Sequence, residues 1–171
     1  MLYIAVTRFN ATTFAENYSF NVGMNNGSWA YNTPVTLKQK YDNDSTFVLL
    51  EMNNTTNKIM GMSIINHLYA THKYRMYGDD NYNRFCYFGK FRIDCAQFDE
   101  TENAEIISHL ENICFKGKRH LKRGQGIHVL SNKNVNTYLC EQEDVNLLVP
   151  IQHMFLKRFG KVEVITRPKK Q

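Results

Sequence analysis

The sequence predicts one α/β (α+β) domain: a curved mixed sheet or partial barrel of about five or six strands, flanked by helices. Three observations carry this. Short apolar, β-prone runs alternate with stretches whose apolar residues recur at helical spacing. No internal repeat and no linker-like stretch divides the chain. The 171 residues, 43% of them hydrophobic, match the size of a single domain that closes its own core. Residues 1–171 are therefore read as one domain, with 167–171 as a basic tail.

The first strand is expected over 2–7, where Leu-Tyr-Ile-Ala-Val is apolar and β-prone. Thr13 and Glu16 have capping-box spacing, which places a short helix over 14–20. Asn25-Asn26-Gly27-Ser28 and Pro34 give the segment around Trp29 loop chemistry. Residues 46–52 and 59–65 read as a hairpin, joined by the polar turn 53–58. From 67 to 85 the sequence is polar and aromatic without a helical stripe, so a loop lying over the sheet is expected. A strand follows over 88–93. A helix is expected over 99–115, with an acidic start and Ile106, Ile107, Leu110, Ile113 and Cys114 on one face. Pro150 suits the first turn of a last helix that buries Ile151, Met154, Phe155 and Phe159. Residues 162–166 alternate as a final strand.

Several function classes are set aside at this stage. No run approaches the roughly 18 consecutive apolar residues of a membrane span, and the start of the chain lacks signal-peptide features. The expectation is a protein of the cytoplasm or nucleus, not secreted and without a membrane partner. Cys86, Cys95, Cys114 and Cys140 form no C-x-x-C pair, so reduced core thiols are expected, with neither zinc nor a disulfide framework. Nucleotide-binding, protease and hydrolase motifs are missing. Asp79-Asp80 beside Gly78 reads as a turn. The spacing of His67, His72 and Cys86 matches no metal-site pattern. No cofactor and no catalytic residue is expected.

The charge distribution is more informative. The net charge is +5 and the pI about 9.0, with Lys116, Lys118, Arg119, Lys122 and Arg123 crowded around His120. Clustered cations are the footprint of a phosphate-backbone binder, although a solvated loop has the same composition. Tyr74, Tyr77, Tyr82, Phe85 and Tyr87 alternate with Lys73, Arg75 and Arg84. That pattern suits a surface on which bases stack, at about 1–3 kcal/mol per base, and equally a loop folded on its own sheet. Trp29, the single tryptophan, is either a stacking surface of this kind or a core plug.

Taken in order, these pieces resemble the YTH domains and, more loosely, the EVE and PUA-like folds. The resemblance spans 2–130. It rests on the opening strand ending in Val6-Thr7-Arg8, on Gly27-Ser28-Trp29 before Pro34, and on the hairpin with Met60-Gly61-Met62. Its strongest piece is Gly89-Lys90-Phe91-Arg92-Ile93-Asp94, followed by a helix and a basic loop. The resemblance implies a reader of a modified base, N6-methyladenosine-like, in single-stranded RNA more than in DNA. Trp29 would be one wall of an aromatic cage, with Tyr87 and Tyr74 or Tyr77 where the family has a tryptophan or aliphatic residue. Thr7 and Arg8, replacing the family's Lys-Ser pair, would contact the nucleotide together with Asn10. Arg123 would hold the phosphate, with Lys116, Lys118, Arg119 and Lys122 around it. The alternatives are an enzyme acting on nucleic acid or nucleotides and a protein-interaction module that keeps the fold.

Overall fold

The chain is described from a computed structural model over residues 1–24, 27–97, 103–131 and 147–160. In order it forms β1 (Leu2–Phe9), α1 (Ala11–Met24), β2 (Trp29–Thr33), β3 (Thr46–Asn53), β4 (Lys58–Asn66), β5 (Phe85–Asp94), α2 (Ala104–Phe115), β6 (His128–Val129) and α3 (Leu148–Phe159). Short 3₁₀ turns lie at Asp80–Asn83 and Cys95–Gln97.

The six strands make one sheet in the order β2-β5-β4-β3-β1-β6, curled into a half-barrel. β1 runs parallel to β3 and the other pairs are antiparallel, so the sheet is mixed. Register shifts fall between Leu50 and Met52 and between Ser63 and Ile65. An extra residue at such a point bends its strand and adds twist, which favours the curl.

The most continuous apolar run becomes the most buried strand: every residue of β3 is buried, as a central strand covered on both faces requires. On one face Val48, Leu50, Met62 and Ile64 pack with Leu110 and Ile113 of α2 and Ile151, Met154 and Phe155 of α3. On the other, Phe47, Leu49, Ile65, Tyr31 and Tyr87 pack beneath α1 and the long loop that carries Met76 and Tyr77.

The structure departs from the sequence reading in several places. α1 begins three residues early because Asn10, not Thr13, is its cap: the Thr13 N–H donates to Asn10 Oδ1 at 2.8 Å, and the Asn10 N–H donates to Thr13 Oγ1 at 3.0 Å. Glu16 instead accepts the Gly78 N–H at 3.1 Å. Trp29 starts an edge strand where a loop was expected. That edge is protected by two asparagines one helical turn apart: Asn17 and Asn21 each donate to the Ala30 carbonyl at 3.0 Å, and Asn21 Oδ1 accepts the Ala30 N–H. Occupying the edge's free backbone groups blocks pairing with another strand. β5 starts at Phe85, three residues before the expected 88. The expected helix start, 99–102, the final strand over 162–166 and the tail 167–171 lie outside the described residues, as does Cys140.

Candidate functional site

The curl brings the carboxyl end of β2 against the basic loop that follows α2. Gly126 makes this approach possible. Its φ of +70 lies in the left-handed region that favours glycine, and a Cβ there would sit 2.5 Å from Val35 Cγ2 and 2.8 Å from Thr33 Oγ1. Where these segments meet, a cleft of about 190 Å³ opens. Its floor is the end of β1 with Thr7, Arg8 and Phe9, and its sides are Asn10 and Thr13 of the α1 cap and Asn32, Thr33 and Pro34 at the end of β2. Asn54 of the hairpin turn, Tyr77 and Tyr82 of the long loop, and Lys122 with Gly124, Gln125 and Gly126 complete it.

The polar groups in this cleft are fixed by their other bonds. Asn83 Oδ1 accepts the Met76 and Tyr77 N–H groups, both at 3.0 Å, and so shapes the long loop. Asn32 Nδ2 donates to the same oxygen at 3.0 Å and to the Tyr74 carbonyl at 2.6 Å. Asn54 Nδ2 donates to the Lys122 carbonyl at 3.0 Å. In each of Asn32 and Asn54 the side-chain oxygen is buried and has no hydrogen-bond partner. A buried acceptor without a donor is costly, and with almost no accessible surface neither oxygen faces the open space of the cleft.

Arg8 ties the basic loop to the sheet. Its Nε donates to the Leu121 carbonyl and its Nη1 to the Gly126 carbonyl at 3.3 Å. Burial, partly offset by Cys114, lowers the guanidinium from its usual range. Lys122 is half-buried and its ammonium reaches Asn57 Oδ1 at 2.8 Å, whereas Lys116, Lys118, Arg119 and Arg123 are exposed. Burial holds the Tyr77 hydroxyl in its protonated form. Among the described residues the cleft is cationic: no carboxylate lines it.

Of the residues singled out from the sequence, Thr7, Arg8, Asn10, Tyr77 and Lys122 come together here. Trp29, Tyr74 and Tyr87 do not line the cleft. Tyr87 is buried in the core, and its hydroxyl accepts the Leu37 N–H at 2.8 Å. Half-buried Tyr74 packs edge-on against Phe20, His72 and Phe88. Trp29 lines a separate groove with Tyr18, Lys90, Arg92 and Phe159. Its Nε1 donates to Asn17 Oδ1 at 3.1 Å, and the Arg92 guanidinium lies 4.0 Å from its ring centroid. Tyr82, named with the aromatic stretch suited to stacking, also lines the cleft, whereas Asn32 and Asn54 were not singled out, because only the curl shows that they meet.

Beneath Trp29 lies a buried ionic cluster. Glu51, fully buried on β3, accepts Arg92 Nε at 2.7 Å, Arg92 Nη2 at 2.8 Å and the Tyr31 hydroxyl at 2.6 Å. Burial alone would lower the Arg92 guanidinium, but the bonds and charge of Glu51 outweigh it and raise it. Gly61 makes room for the pair, since a Cβ there would sit 2.7 Å from Glu51 Oε2 and 2.8 Å from Arg92 Nη2. Cys86 and Cys114 are buried, and burial pushes both thiols up to about 12. Among the described residues no three His, Cys, Asp or Glu side chains converge as metal ligands, and no helix is long and apolar enough to cross a membrane. No family model, no curated protein and no solved structure matches the chain.

Proposed function

We propose that the protein binds single-stranded RNA, seating one base in the cleft at the end of β1 while the basic loop engages the flanking phosphates. One observation carries this reading: a small cleft lined by Tyr77, Tyr82 and polar residues from the end of β1, the α1 cap and the end of β2 lies directly beside a run of exposed cations. Aromatic faces, fixed polar groups and nearby positive charge are what recognition of an unpaired base requires. The resemblance to YTH domains over 2–130 supports RNA over DNA and a modified base over a plain one. The residues it points to as cage walls are dispersed, so the cleft is assigned as the place where the base is read.

The test is fluorescence anisotropy of a labelled RNA octamer, and of its DNA counterpart, over a series of salt concentrations. Log K is expected to fall linearly with log salt, and replacing both Lys118 and Arg123 with Ala is expected to flatten the slope by about one unit per lost phosphate contact. Binding that ignores salt, or a double variant with the same slope, would overturn the proposal.

A further inference from the structure

We infer that one phosphate group of the ligand enters the cleft and is held there by the Arg8 guanidinium, the backbone N–H groups of Gly124, Gln125 and Gly126, and the Lys122 ammonium. The inference rests on the RNA-binding role proposed for this cleft. It adds an anion seat in the cleft wall, distinct from the exposed cations that meet the flanking phosphates.

Arg8 is a half-buried cation without an anion. Its Nε and Nη1 donate to the Leu121 and Gly126 carbonyls, which carry no charge to balance it. Among the described residues no carboxylate pairs with it. Nη2 has no hydrogen-bond partner, yet it is not one of the side-chain atoms shut off from solvent. A charge that the fold holds half out of water calls for a counter-ion. Arg8 lies on a cleft that, among the described residues, no carboxylate lines.

The loop packed on Arg8 supplies further donors. A Cβ at Gly124 would sit 3.6 Å from both Cζ and Nη2 of Arg8, so a side chain there would crowd the guanidinium. Gly124 and Gly126 have φ of +112 and +70, with Gln125 between them at negative φ. Alternation of this kind gathers successive N–H groups into a concavity suited to an anion. The N–H groups of Gly124, Gln125 and Gly126 donate to no group among the described residues. Lys122 brings a second charge to the same cleft: its ammonium uses one donor on Asn57 Oδ1 and keeps two. A neutral base would leave both charges unbalanced, whereas a phosphate balances them and accepts several of these hydrogen bonds at once. A diester within the strand and a monoester at its end share this chemistry.

The experiment is an NMR titration of the ¹⁵N-labelled full chain with inorganic phosphate, against sodium chloride at the same ionic strength. The backbone amides of Gly124, Gln125 and Gly126 and the Arg8 Nε–H are expected to shift to saturation with phosphate and to stay in place with chloride. The RNA octamer with and without a 5′-phosphate separates the two sources. A gain of about tenfold or more assigns the seat to a strand end, and no gain assigns it to an internal linkage. Arg8→Lys keeps the charge and loses the fork. It is expected to weaken octamer binding about tenfold or more at every salt concentration with the salt slope unchanged, unlike the Lys118 and Arg123 double variant. Arg8 also anchors the loop, so thermal melting checks the variant's fold, and if it does not fold the phosphate titration of the parent chain decides. Chloride shifts equal to those with phosphate, or octamer affinity unchanged in a folded Arg8→Lys chain, overturn the seat, while salt-dependent octamer binding leaves the RNA proposal standing. Saturable phosphate shifts without any octamer binding overturn the RNA proposal and keep the seat.

Discussion

Replacing Glu51 with Gln tests whether the buried cluster under Trp29 holds the sheet together. The substitution keeps the shape of the side chain and removes its charge. The Arg92 side chain, only 10% exposed, then loses its bidentate partner, and one of its N–H donors meets an amide NH₂. Asp94, with Oδ2 at 3.3 Å from Nη1, is a weaker substitute on the same strand. Leaving a buried charge uncompensated costs about 3–5 kcal/mol, a large share of the roughly 5–15 kcal/mol that stabilises a domain. Arg92→Met alone is expected to cost a similar amount, because it strands the Glu51 carboxylate and removes the cation over Trp29, worth about 1–2 kcal/mol. The double variant Glu51→Met, Arg92→Met replaces the pair with apolar groups of similar length and is expected to lie within about 2 kcal/mol of the parent. Urea unfolding gives all four stabilities, and the double-mutant cycle gives the coupling. Single variants that cost under about 1 kcal/mol, or a double variant as unstable as the sum of the singles, would refute this reasoning.

Arg8→Ala removes both bonds to the basic loop and is expected to cost about 1.5–3 kcal/mol in urea unfolding, with faster amide exchange over 122–126 as a second readout. Asn10→Ala removes the α1 cap and is expected to cost about 1 kcal/mol, read as a lower Tm. His128 gives a pH dependence. Burial, then the charges of Arg8, Lys38 and Lys40, hold its imidazole below the usual 6.5, so the unfolded chain takes up a proton before the native state does. Its stability contribution is complete above 6.5 and is lost as pH falls through the lowered native value. Because His128 is largely exposed, the loss stays under about 1 kcal/mol. His128→Gln is expected to remove this part of the decline between pH 7.5 and 5.5, read as a difference in urea midpoints.

Much of the fold was legible because burial and turn chemistry are local. The apolar runs of β1, β3 and β4 and the polar turn between the last two appear in the structure nearly at their expected bounds. So does the last helix, with Pro150 in its first turn and Ile151, Met154 and Phe155 buried, although Phe159, expected on the same buried face, is exposed at the helix end. The stretch over 67–84 is a loop with a single 3₁₀ turn, capped by Asp79 as the Asp-Asp pair suggested. Trp29 was misplaced because Gly27, Ser28 and Pro34 flank a strand of only five residues, and its pairing with β5 is not a local signal. The glycines of the family-like pattern have packing reasons here: Gly61 faces the Glu51–Arg92 pair, and a Cβ on Gly89 would sit 2.8 Å from Ser63 Cβ. At the cleft, Thr7, Arg8, Asn10, Tyr77 and Lys122 were picked out by charge, aromatic content and resemblance. Asn32 and Asn54 were not, because an asparagine in a strand or turn reads as punctuation until its partners are known.

An NMR titration of the ¹⁵N-labelled chain with the single-stranded RNA octamer tests the central claim most directly. The account predicts that the side-chain amides of Asn32 and Asn54 and the backbone amides of Thr7, Gly124 and Gly126 shift together, while the Trp29 indole N–H and the Lys90 amide in the other groove stay in place. Shifts at Trp29 and Lys90 with Asn32 and Asn54 unmoved would contradict it and transfer the site to the groove beside the Glu51–Arg92 cluster.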